Sequence, residues 1–86
     1  MIKTVRRKII SYTFDHDEGI PVLVFTIGTE RRKIRVKIGE GYHRIYQIMK
    51  DTNYPNWRHV RLVDPDLFVG KFMKIAIEER EVVKDE

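Results

Sequence analysis

Cysteine is absent from this chain, and serine and glutamine occur once each, at Ser11 and Gln47. Without cysteine there is no disulfide framework and no thiolate metal site to supplement a small core. A single serine with no nucleophile signature around it leaves hydroxyl catalysis unsupported. There is no internal repeat, low-complexity segment or linker, so the expectation is a single domain over residues 1–86. The start, Met1 to Lys8, runs straight into alternating sequence and lacks the uninterrupted apolar core of a signal peptide. Nowhere is there an apolar run long enough to span a bilayer. A cytoplasmic location with no membrane partner is expected.

Charge is what the chain has in quantity. Charged residues make up 35% of it, against two asparagines and one glutamine. Many charges with few thermolabile amides is the bias of hyperthermophile proteins, in which ion-pair networks gain value with heat. The charge is unevenly spread. Residues 78–86 hold five acids and two bases, whereas the other residues hold fifteen bases and eight acids, a net of +7. A positive body of this kind attracts polyanions and steers their approach. The acidic end reads first as a solvated helical end, and second as a segment lying over a basic patch.

Periodicity gives the element order. Residues 2–14 read as a first strand whose apolar phase changes midway: Val5 and Ile9 share one face, Ile10, Tyr12 and Phe14 the other. A bulge or bend near Ile9-Ile10 would reconcile the two. Asp15 to Gly19 is a polar turn, and Pro21 stands at the start of the next strand. Val22 to Ile27 is apolar on both faces, as in a central strand. Gly28-Thr29 is expected to be a two-residue hairpin turn. A third strand over 31–38 sets Ile34, Val36 and Ile38 on one face and Arg31, Lys33, Arg35 and Lys37 on the other. That turn pairs Leu23 with Ile34 and Val24 with Lys33, and only an even loop keeps the two apolar faces together.

Gly39-Glu40-Gly41 breaks the strand, and residues 42–52 place Tyr42, Ile45, Tyr46, Ile48 and Met49 at helical spacing. Thr52 to Trp57 is a loop, and residues 60–63 read as a short fourth strand. Asp64-Pro65 is a good cap and first helical residue. Beyond it, Phe68, Val69, Phe72, Met73, Ala76 and Ile77 form an amphipathic stripe. Against that helix, Gly70 would cost about 1 kcal/mol inside it, and Met73, Ile75 and Ile77 also alternate as a strand does. The expected class is α+β: a three-stranded antiparallel meander, a helix, a fourth strand and a C-terminal amphipathic helix. If the last segment is instead a fifth strand, the element order resembles that of a small OB-fold β-barrel.

The cationic row is the leading candidate site. Arg31, Lys33, Arg35 and Lys37 lie two residues apart, about 6.5–7 Å per step, close to the roughly 6–7 Å between phosphates of an extended strand. No acid lies within the row to offset their mutual repulsion. Arg58 and Arg61, with Arg6, Arg7 and Lys8 of the first strand, would enlarge the patch. Tyr54 and Trp57 beside Arg58-His59 suit stacking on unpaired bases, although a loop tryptophan more often plugs a core. A charged strand face is equally a device against edge-to-edge aggregation.

Asp15, His16 and Asp17, with His43 or His59, are metal-ligand types without any defined motif spacing. Nothing assembles an acid, a base and a positioned third group, so a non-enzyme without cofactor or metal is expected. The leading function is nucleic-acid binding, DNA or RNA, through a cationic sheet face with low sequence specificity. The alternative is an assembly module, a homodimer built on the apolar surplus at Leu67, Phe68, Val69, Phe72 and Met73. A small metal-dependent nuclease is the weakest reading.

Overall fold

A computed structural model describes residues 2–39 and 41–78, with the side chain of Glu78 excluded. Four strands, β1 (Ile2–Asp17), β2 (Ile20–Ile27), β3 (Arg32–Lys37) and β4 (Phe72–Glu78), form one antiparallel sheet in the order β3-β2-β1-β4. One helix, α1 (Arg44–Asp51), lies between β3 and β4 in the chain. The mixed α+β class expected from the sequence is the one found.

The long first strand shows why the apolar phase changes midway. Ile9 pairs with Ile27 and Ser11 with Thr26, so Ile10 is an extra residue with no opposite number. A bulge of this kind resets the alternation. It brings Val5, Ile9, Tyr12 and Phe14 onto one inner face, with Ile9 fully buried. The two halves of β1 then serve different partners. Residues 2–8 pair with β4, and residues 9–17 pair with β2.

Both hairpins differ in detail from the expectation. The first turn is Glu18-Gly19, both at positive φ, so β1 continues through Asp15 to Asp17. The second is a four-residue loop, not the two-residue Gly28-Thr29 turn: Ile27 pairs with Arg32, Phe25 with Ile34 and Leu23 with Val36. The loop stays even, so the faces are as expected while the register slips by two. Gly28 at φ 71° and Arg31 at φ 55° provide its two left-handed positions. Glycine occupies the first without steric cost.

The C-terminal half departs further. The stretch 60–63 is irregular and not a strand. Asp64-Pro65 does open a helical turn, with the Asp64 carboxylate accepting from the Asp66 N–H. That turn is a 3-10 piece, Pro65–Phe68, and the long amphipathic helix does not follow it. Gly70 takes φ 88°, outside helical space, and the chain enters β4 instead. A strand here lets Met73 and Ile75 face the core and pairs them with Arg7 and Val5 of β1. Strand pairing along β1 outweighs local helical propensity, which is a weak prior. Residues 79–86, and with them the rest of the expected helix and the acidic end, lie outside the described residues. Among the described residues the sheet has four strands with β3 and β4 at its edges, and not the five strands of a closed barrel.

The core lies between the inner sheet face and the α1 side. Ile45, Ile48 and Met49 of α1 pack with Ile9, Leu23, Phe25, Val36, Phe68 and Met73. Phe68 is its centre, edge-on to Phe25 at 5.3 Å between centroids and tilted against Tyr54 at 5.1 Å. Aromatic pairs in this range add to simple area burial. The helix stops where Thr52 Oγ1 donates to the Ile48 carbonyl and Asn53 turns to positive φ. At the far edge, the Lys74 N–H of β4 donates to Asp51 of α1.

Candidate nucleic-acid interface

The sheet face that looks away from α1 follows from register and burial. On β3 it carries Lys33, Arg35 and Lys37, opposite Thr26, Val24 and Val22 of β2. Those three lie in turn beside Ser11, Thr13 and Asp15 of β1. Across the bulge the alternation continues through Lys8, Arg6 and Thr4, paired with Phe72, Lys74 and Ala76 of β4. All six of these last residues are exposed, whereas the intervening Met73 and Ile75 are buried. Six cations therefore share one outer face, and among the side chains described on it the acids are Asp15 and Asp17.

Those two acids are not free. Arg35 reaches across β2, its Nε donating to Asp17 at 3.2 Å and its terminal nitrogen meeting Asp17 again and Asp15 at 2.9 Å. The row has no acid within it, and the fold supplies two: strand pairing brings β1 carboxylates within reach of β3. The pairing shows in the titration of both partners. The Asp15 carboxyl sits below its ordinary range, first because the His16 N–H donates to it and second because of Arg35. The Arg35 guanidinium is raised, chiefly by its hydrogen bond to Asp17.

Its neighbours in the row are also engaged. Lys33 Nζ donates to Thr26 Oγ1 at 2.6 Å, and Lys37 Nζ stands 5.6 Å from the centre of the Tyr42 ring. Arg31 is not in the row at all, because the four-residue loop takes it off the strand. The stems of the three remaining cations flank β-branched residues, and Val22, Val24 and Thr26 are buried although they face away from the core. Long charged side chains cover apolar surface in this way while their heads stay wet.

The other expected contacts are dispersed. Tyr54 is only 6% exposed, and its hydroxyl accepts from the Asp64 N–H at 2.8 Å, so its ring belongs to the core. Trp57 is half-buried against that core, with the Arg58 guanidinium 5.0 Å from its ring centre. Arg61 lines a cleft of about 620 Å³ with Ile38, Tyr46, Met49, Val60 and Val63. The segment carrying Arg58 and Arg61 packs on the inner side of the sheet, so the fold does not join them to the cationic row.

At the β1–β4 end the position is reversed. Among the described residues, the side chains of Arg6, Lys8 and Lys74 have no acidic partner, although the Lys74 N–H donates to Asp51, while Arg7 turns to Glu30 at 3.5 Å. Sequence reasoning placed Arg6 and Lys8 only as an extension of the patch and missed Lys74 and Phe72. The signal was present in the alternation of Phe72 and Lys74 with Met73, Ile75 and Ile77, hidden beneath the helical stripe.

The apolar surplus divides between two fates. Phe68 and Met73 are in the core, and Leu67, Val69 and Phe72 remain exposed. Among the described residues no group of three or more His, Cys, Asp and Glu side chains could hold a metal ion. None of the described helices is long and apolar enough to cross a membrane. No family model, curated protein or solved structure matches this chain.

Proposed function

We propose that this chain is a small nucleic-acid-binding domain that contacts phosphates through the outer face of its sheet, with little sequence specificity. The observation that carries the reading is the excess of cations on that face, six against two acids among the described side chains, with both of those acids held by one arginine. Arg6, Lys8, Lys74, Lys33 and Lys37 are the contacts, Arg35 being held by Asp15 and Asp17. Each strand offers its cations two residues apart, about 6.5–7 Å, which suits an extended phosphate backbone. Among the described residues the face carries no Asn or Gln to pair with adenine, and its cations, Arg6 among them, are read as contacts to phosphate.

The reading makes a quantitative demand. About five phosphate contacts give a log–log salt slope near −3.5 on single strands and near −4.5 on duplex. Fluorescence anisotropy across a salt series measures it. Removing Lys33, Lys37, Arg6, Lys8 and Lys74 together is expected to flatten the slope and abolish binding at moderate salt. Parent-like binding by that variant, with its fold intact by circular dichroism, would sink the reading.

A further inference from the structure

We infer that the β1–β4 end of the outer face is a stacking site for unpaired bases, with Phe72 as the platform and Arg6, Lys8 and Lys74 as its phosphate contacts. The inference rests on the nucleic-acid reading and narrows its ligand to single-stranded polynucleotide. Phe72 is 47% exposed at the start of a strand whose alternate residues Met73 and Ile75 are buried. It stands opposite Lys8, while Arg6 stands opposite Lys74, so one ring and three cations occupy four adjoining positions of two paired strands. Paired strands lie about 4.8 Å apart and same-face neighbours about 6.5–7 Å. A base laid on the ring thus has cations within reach along β4, at Lys74, and across to β1, at Lys8 and Arg6, for its flanking phosphates.

The surroundings favour a flat ligand there. A hollow of about 420 Å³ adjoins Phe72, lined also by Arg6, Lys8, Ile10 and the loop residues Gly28 and Thr29. Ile10 is exposed because the bulge leaves it without an opposite residue. The space that Gly28 leaves by lacking a Cβ is taken by the Glu30 carboxylate, which is drawn there to Arg7. The β3 end offers none of this. No described strand residue of its outer face is aromatic, the ring nearest Lys37 is the half-buried Tyr42, and Lys33 and Arg35 are hydrogen-bonded within the sheet. Duplex hides the faces of its bases within the helical stack and so cannot use an exposed ring. Single strands expose them, and every base has a π-face, so stacking is tolerant of sequence.

The test compares oligothymidylate with a duplex of equal length for the full chain and for Phe72→Ala and Phe72→Leu. Leucine keeps apolar bulk and removes only the ring. Both substitutions are expected to weaken single-strand binding about ten-fold or more and to leave duplex binding unchanged, with thermal melts confirming the fold. If Phe72→Leu binds single strands as the parent does, or if both variants weaken duplex and single strand equally, the stacking site is wrong. In either case the broader reading still stands provided that removing the cations lowers binding. If the parent binds neither oligonucleotide, both are overturned.

Discussion

Arg35 and its two carboxylates decide how the β3 row behaves. A guanidinium shared between Asp15 and Asp17 is less available to a phosphate than a solvated one, because a new partner must displace charge-assisted hydrogen bonds. The same contacts set a pH dependence. With its folded pKa depressed, Asp15 contributes stability that is fully present above its unfolded value, near 3.9, and is lost as pH falls through the lower folded value. The carboxyl carbon of Asp15, followed by NMR against pH, is expected to titrate below the ordinary aspartate midpoint. In Arg35→Ala that midpoint should rise only part of the way, because the His16 N–H is the larger cause and remains. A full return to the ordinary value would show that the arginine, not the amide, dominates.

At the scale of the element, β1 carries the architecture. Its sixteen residues span two different pairings, and the bulge at Ile10 lets one strand present a continuous inner face to both. Deleting Ile10 leaves Ile9, Ser11 and Tyr12 in strict alternation, so Val5, Ile9, Tyr12 and Phe14 keep one face and the β2 register without a bulge. The expected cost is within about 1 kcal/mol, the range of changes that leave core packing in place, read by urea denaturation. Ile10→Ala, which keeps the bulge, should likewise cost less than about 1 kcal/mol at this exposed position. A loss of more than about 4 kcal/mol on deletion alone would show that the bulge itself, and not only the phase it resets, holds the core together. β4 teaches a related lesson. Phe68 and Val69 with Phe72 and Met73 fit a helix as well as they fit a turn followed by a strand, and Gly70 was the sequence clue that separates them. What settles the choice is the unpaired half of β1, which no local window contains.

For the molecule as a whole, charge is organised by face. The outer face gathers cations from β1, β3 and β4 and leaves one end paired and the other open. Asp15→Asn with Asp17→Asn releases Arg35 and removes two negative charges from the face. Binding at low salt is expected to tighten, with the salt slope steeper by about one contact, 0.7 to 0.9 units. An unchanged slope would mean that Arg35 already contacts phosphate or lies outside the contact surface.

By itself the sequence determined the α+β class, the bulge near Ile9-Ile10, the even hairpin loop, the buried face of α1 and the inner and outer faces of β3. Each of these follows from alternation or helical spacing within a few residues, where side-chain direction is fixed by the backbone. Tertiary structure alone decided the rest. It carried Arg31 off the row, drew Asp15 and Asp17 to Arg35, and took Tyr54 into the core. It turned the last segment into a strand beside β1 and so set Phe72 and Lys74 next to Lys8 and Arg6. Those outcomes depend on pairing between residues as far apart in the chain as Ile2 and Glu78, and a local pattern holds no record of which distant partner satisfies a strand's backbone.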